Sequence, residues 1–353
     1  MSGDTQYPWD LTQVPNYKSA PTVDIEEAER LDARAFQRRY VLQNRPCLVK
    51  RAVAGWPAFQ KWTDPEYVLA RIGDVEARPS CSPKIEAFGL RSGPQDLIAA
   101  KRTRDCTLPS EKVRDLLPRM RTPDDDVLFV ELRPADPSVR RLGEDLTVAG
   151  ARFSFLTAPP RPRFNYSGWA VMFYKNSYSD WHFHPGADAM MCQVLGTKDV
   201  LLLPPTQLSW DQIVPIHTEQ WRVYGIKVAS APSFREVRPY HVVVEPGDGL
   251  FLPVNWWHAV QARPREYGIT VPVTWDSSNR DLRQPATRHF LRVLWHQRKR
   301  VAAELLLTAA YETVAILVRT LGISIGLYSC ERKTSKLSVM PWLFGHSLRS
   351  TKR

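Results

Sequence analysis

From Gly168 to Trp275 the apolar positions fall in short β-branched and aromatic runs separated by Pro and Gly. That texture predicts strands joined by tight turns, and so an antiparallel barrel. Upstream the period changes. Ile25 to Tyr40 carries Ala, Leu, Phe and Glu/Arg at helical spacing, and Asn44-Arg45-Pro46 breaks that helix before a short strand at Cys47-Leu48-Val49. Thr63-Asp64-Pro65-Glu66 reads as a helix start, because a side-chain cap followed by Pro suits amides that have no partner in the first turn; the helix continues to Gly73. Residues 78–162 are loop-rich and basic, with one apolar strand at Val127-Leu128-Phe129-Val130. After Asp276 the pattern is helical again, with Leu282, Phe290, Leu291, Leu294 and Trp295 set against Arg283, Arg288, Arg292 and Arg298.

These segments predict a polar, Pro-punctuated arm (1–22), one domain over 23–277 with its barrel core beginning near 165, and a C-terminal helical region (278–353). The apolar stripe of that last region needs a partner, either the barrel wall or a second copy in a homodimer. A chain of 353 residues suits one large decorated barrel. The net charge of +11 favours approach of something acidic: an anionic cosubstrate, an acidic protein segment or a nucleic acid. Basic excess also serves solubility alone, so nucleic acid is not the favoured partner. The five cysteines are scattered and include no C-x-x-C pair, which fits neither a disulfide framework nor a zinc knuckle and points to a reducing, cytoplasmic setting. The first residues show no basic and then apolar run of a secretory signal. The most apolar stretch, Val301 to Tyr328, is interrupted by Glu304, Glu312 and Arg319, so no membrane span is expected.

The candidate chemistry lies in the histidines. Along Trp181-His182-Phe183-His184, the strand period of two puts both imidazoles on one face. Pro246-Gly247-Asp248 is a tight turn feeding the strand Leu250-Phe251-Leu252, after which Val254-Asn255-Trp256-Trp257 leads to His258. With the chain turned back on itself, His258 can close a three-imidazole face around one transition metal. Lys198 shares a strand face with Val200 and Leu202, where a dry ammonium would make a useful counter-charge for an anion. His217, His241, His289, His296 and His346 lack such a setting and are assigned nothing.

The same residues resemble the JmjC-like, cupin-like oxygenases. The N-terminal part of the resemblance rests on Phe36, Tyr40-Val41, Asn44-Arg45-Pro46, Gly55-Trp56-Pro57-Ala58, Trp62-Thr63, Tyr67 and Ile72-Gly73-Asp74. The catalytic part runs from His182 through Gly196-Thr197-Lys198 and Leu203-Pro204-Pro205 to Pro246-Gly247-Asp248, His258 and Trp275. The resemblance implies a double-stranded β-helix, the jelly-roll barrel, mostly β with flanking helices. It also implies an Fe(II)- and 2-oxoglutarate-dependent hydroxylase acting on a protein, peptide or small polar molecule. In that family's pattern His182 and His258 are metal ligands, Lys198 pairs with the far carboxylate of 2-oxoglutarate, and Ser179 shares that task.

The chain departs from the family at one ligand. Where the family carries H-x-D or H-x-E, this sequence has His184. Three neutral imidazoles still bind Fe(II), but they leave two units of positive charge at the metal instead of one, and they widen the choice to Zn or Ni. A second pattern, His182, His184, Asp188 and His258, resembles the archetypal cupin centre, with Asp188 restoring the anion; it implies a dioxygenase that uses no keto acid. A non-catalytic, metal-binding cupin is the third alternative.

Overall fold

The computed structural model describes residues 11–79, 109–148, 151–156, 166–183, 187–207, 213–217, 222–226 and 236–276. His184, the first part of the arm, and the C-terminal helical region with its expected dimer contact lie outside the described residues. The strands are β1 (Asp24–Glu27), β2 (Cys47–Lys50), β3 (Glu76–Ala77), β4 (Glu111–Lys112), β5 (Leu128–Leu132), β6 (Tyr166–Trp169), β7 (Val171–Lys175) and β8 (Tyr178–His182). They continue with β9 (Ala187–Leu195), β10 (Lys198–Leu203), β11 (Ile213–His217), β12 (Arg222–Ile226), β13 (Tyr240–Val244), β14 (Gly249–Leu252), β15 (Trp257–Ala262) and β16 (Tyr267–Asp276).

Two sheets form the barrel among the described residues. The larger runs β1-β2-β14-β9-β16-β7-β5, with β6 paired to β16; the smaller runs β13-β10-β15-β8. Their facing sides share one apolar cluster, in which Leu48, Leu250, Leu252, Ala189 and Met191 of the large sheet meet Val200, Leu202, Val242, Val244 and Val260 of the small one. Alternation sends the intervening residues of the large sheet the other way. Met190, Cys192, Phe251, Val271 and Val273 pack in a second core with Phe36, Tyr40, Trp56, Trp62 and Leu117. This is the mostly β jelly-roll that the family resemblance implied, with its helices packed on the back of the large sheet.

The local elements differ from expectation in two places. The helix expected from Ile25 begins only at Ala33, capped by the Asp32 side chain, and runs on as a π-helical turn over Gln37–Val41. Asp24–Glu27 instead pairs in parallel with β2, whose outer edge offers backbone bonds that outweigh the local helical preference. Within the loop-rich region a helix forms at Val113–Arg121, burying Val113, Leu116, Leu117 and Met120 at helical spacing; Pro118 in its middle hid the pattern. The helix read from Asp64-Pro65 spans Pro65–Ile72, and the Asp64 side chain accepts from the Glu66 amide at 3.0 Å.

The turn before β14 is made by Gly247, which sits at φ 95°, where a side chain would be strained. Asp248 locks it by bonding the Glu245 amide at 3.1 Å and the Lys50 ammonium at 2.6 Å. Residues 11–20 lie against the small sheet: Leu11 donates its amide to Gln261 at 2.9 Å, and Asn16 Nδ2 bonds the Val237 carbonyl at 2.7 Å. No helix among the described residues is long and apolar enough to cross a membrane.

Candidate metal centre

β10 runs through the small sheet between β13 and β15, and its register sets the height of every candidate side chain. Leu202 lies opposite His258, Val200 opposite Val260, and Lys198 opposite Ala262. Since Val200, Leu202 and Val260 belong to the inter-sheet cluster, His258 and Lys198 share their face and point into the barrel. β15 then pairs with β8, His258 directly opposite His182. The two imidazole rings lie side by side, centroids 4.0 Å apart and planes tilted by 54°.

A bulge adjusts the other half of β8. Val260 is opposite Ser179, so three residues on β8 span the distance that two cover on β15. Simple alternation would put Ser179 and His182 on opposite faces; the extra residue brings both inward. Ser179 Oγ consequently lies 3.3 Å from His182 Nδ1. The hydroxyl expected to share the work of Lys198 thus also meets a histidine, and when it accepts from Nδ1 its own O–H remains to donate.

Hydrogen bonds also decide which ring nitrogens can bind a metal. His258 Nδ1 lies 3.1 Å from the Trp256 carbonyl, which can only accept, so Nδ1 carries the proton and Nε2 is the unprotonated nitrogen of the neutral ring. His182 is held the same way when its Nδ1 donates to Ser179 Oγ. In both rings Nε2 is then the nitrogen with metal-binding character. His258 is 2% exposed, with Trp257 and Trp256 buried beside it, so the pair lies in a largely dry setting.

Lys198 is 6% exposed. Its ammonium stands 4.1 Å from the centroid of the Tyr174 ring, and among the described residues it forms no ion pair with a carboxylate. Burial without a counter-charge pushes its pKa down to about 7. An ordinary surface lysine on the barrel rim would show neither feature.

Asp188, the ligand of the archetypal cupin pattern, is turned away from the histidines. It shares its face of β9 with Met190 and Cys192, on the outer core side, opposite to Ala189 and Met191. Its Oδ1 accepts the Val254 amide at 2.9 Å and so anchors the turn that carries the chain from β14 in one sheet to β15 in the other. Regular pairing of β9 with β16 over residues 188–192 keeps the strict alternation that puts Asp188 on the face of Met190 and Cys192, and its bond to Val254 gives it a structural task. His184 lies outside the described residues, so the described pair is His182 and His258.

Sequence reasoning passed over a polar ladder on the large sheet. Gln193 Nε2 donates to the Tyr174 hydroxyl at 2.5 Å, and Thr270 Oγ1 donates to Gln193 Oε1 at 2.8 Å. All three side chains are buried. One signal was available: an amide within Met190-Met191-Cys192-Gln193-Val194-Leu195 must find partners wherever that run is buried.

A jelly-roll barrel with paired inward imidazoles and a buried inward lysine defines the cupin class of protein. Residues 33–281 match the Cupin-like domain family, and the chain belongs to that cupin-like (JmjC) family. Among its relatives is Jumonji C domain-containing protein 5 of Drosophila melanogaster, 21% identical over 273 residues that cover 74% of this chain and 61% of that one. The chain therefore spans about three fifths of that relative's length. Human bifunctional peptidase and (3S)-lysyl hydroxylase JMJD7 is 27% identical over 64% of this chain and 76% of its own. Lysine-specific demethylase JMJ32 of Arabidopsis thaliana is 22% identical over 68% and 77% respectively.

Proposed function

We propose that this protein is an Fe(II)- and 2-oxoglutarate-dependent hydroxylase, with His182, His184 and His258 as metal ligands and Lys198 as the partner of the cosubstrate's far carboxylate. The observation that carries this reading is the buried ammonium of Lys198, which meets no carboxylate among the described residues, on the same interior face as the two imidazoles. A cation kept dry without a carboxylate partner is unfavourable on its own, and an anionic ligand entering the barrel would relieve it. The histidines fit a metal because their rings lie side by side on one interior face and each has Nδ1 oriented by a hydrogen bond, which assigns metal binding to Nε2. Imidazole suits Fe(II), and a third neutral ligand at position 184 would leave a dipositive site matched to a dianionic keto acid.

The bound metal and keto acid would supply the oxidising power. The chain's own residues have three tasks: Trp256 and Ser179 orient the imidazoles, Lys198 fixes the far end of the acid, and the apolar walls of Leu202, Leu252 and Met191 keep water out. The substrate we favour is a protein or peptide rather than a nucleic acid. The names of the human and Arabidopsis relatives support this, since both refer to lysine. The Asp188-dependent dioxygenase is not adopted, because that carboxylate holds the Val254 amide at 2.9 Å and alternation along β9 puts it with Met190 and Cys192.

The test is turnover by the purified, Fe(II)-loaded chain. It should convert 2-oxoglutarate to succinate slowly without substrate and faster with a lysine-containing peptide. Absence of both 2-oxoglutarate binding and succinate would refute the assignment.

A further inference from the structure

Lys198 meets no carboxylate among the described residues, and what it meets instead gives a task to a residue on the other sheet. Its cross-strand neighbours, Val244 and Ala262, are apolar and buried, so neither offers the ammonium an acceptor side chain. What meets it is the ring of Tyr174, at 4.1 Å from the centroid. That ring is itself fixed. Its hydroxyl receives the Gln193 bond at 2.5 Å, and Gln193 is held in turn by Thr270 at 2.8 Å. Directly across from Tyr174 on β16 stands Gly268, where an added Cβ would lie 2.1 Å from Tyr174 Cζ. The ring occupies the space that any other residue at 268 would fill.

We infer that Tyr174 is the positioning residue for Lys198: its ring face holds the ammonium inside the barrel, and Gly268 makes room for the ring. This rests on the reading of Lys198 as the anion's partner. The physical logic is one of competition. A carboxylate partner would neutralise the lysine, and an incoming anion would have to displace it. An aromatic face stabilises the cation in a dry setting yet leaves the N–H donors free for a carboxylate oxygen.

The other titratable groups near this stretch are engaged elsewhere. Glu266 is bonded to the Thr197 amide at 2.9 Å, and Asp199 lies on the opposite face of β10, bonded to His241 at 2.9 Å. Tyr267, partly buried against the outer core, is a phenol whose pKa burial raises, so it stays neutral.

Two measurements on the full chain test the inference. The first follows the Lys198 ammonium by NMR on 13C-lysine-labelled protein without ligand. The second titrates 2-oxoglutarate calorimetrically into protein loaded with Mn(II), with Mn(II) affinity measured alongside. Tyr174→Leu should lower the Lys198 titration midpoint by about one pH unit and weaken 2-oxoglutarate about tenfold, with Mn(II) affinity unchanged. Tyr174→Phe, which keeps the ring and drops the hydroxyl, should restore both to within about twofold, and Gly268→Ala should resemble Tyr174→Leu. An unchanged Lys198 midpoint in Tyr174→Leu would overturn the inference, as would a Phe variant as impaired as the Leu variant. If the wild-type chain binds no 2-oxoglutarate while Tyr174→Leu still shifts the midpoint, the positioning role stands and the cosubstrate assignment falls.

Discussion

Replacing Lys198 by Met should make the protein more stable and less able to bind its anion, two effects of opposite sign from one buried charge. The ammonium titrates near 7 in the fold against an ordinary value of 10.5. At 1.36 kcal/mol per pH unit, that difference amounts to roughly 4–5 kcal/mol of unfavourable burial. The sign follows from proton counting. Between pH 7 and 10.5 the unfolded chain binds more protons at this site than the folded one, so stability rises with pH across that window. At pH 6.5 the folded protein bears almost the full penalty. Met is similar in length and uncharged, so Lys198→Met should gain about 2–4 kcal/mol there, which for a chain of this size raises the melting temperature by roughly 5–10 °C. The gain should shrink as pH approaches 10. In the same variant 2-oxoglutarate binding should weaken by at least about 30-fold, the low end of removing one partner from a buried charge pair. Thermal melts at pH 6.5 and 9.5, paired with calorimetric titration, read both effects. A variant that melts lower than wild type at pH 6.5, or that binds 2-oxoglutarate normally, would refute the reasoning.

Other substitutions separate the tasks of neighbouring groups. Ser179→Ala should leave the fold intact and weaken metal binding about three- to tenfold, because His182 loses its Nδ1 partner; Ser179→Thr should rescue it, as read by metal titration. Asp188→Ala should destabilise the protein by about 1–3 kcal/mol through the orphaned Val254 amide, yet leave metal stoichiometry at the wild-type value; denaturant melts and metal analysis check both halves. Asp145 is 2% exposed. Burial raises its pKa, but bonds from Trp62, Tyr67 and Lys61 outweigh that and hold it below the ordinary carboxylate value. Its contribution should therefore be full above pH 4 and fade on further acidification, and Asp145→Ala should flatten the acid limb of the stability curve while costing about 2 kcal/mol at pH 7.

How far the sequence could be read varied with the range of the interaction that decides each feature. Alternation along Lys198, Val200 and Leu202 placed the lysine on the interior face correctly, because one period of two governs the whole strand. His182 and His258 met across β8 and β15 because the Pro246-Gly247-Asp248 turn and the strands that follow were recognisable locally. Ser179 and Asp188 were harder. The bulge that turns Ser179 inward is visible only once β8 pairs with β15, and Asp188 could be assigned a face only after the phase of β9 was known. β1 was missed for a related reason: Ile25-Glu26-Glu27 is extended by its pairing with β2, and nothing in its own residues announces that partner. The Tyr174–Gln193–Thr270 ladder joins three strands distant in sequence, and a single polar residue in each apolar run is a weak signal alone.

The most direct test of the central claim is a cobalt(II) titration of the metal-free chain, followed by the visible absorption of the bound ion. One equivalent should bind to wild type, and His182→Ala and His258→Ala should each weaken that binding at least about 100-fold while melting cooperatively. Stoichiometric, undiminished binding in the double variant His182→Ala/His258→Ala would contradict the account, as would a folded wild-type protein that takes up no metal.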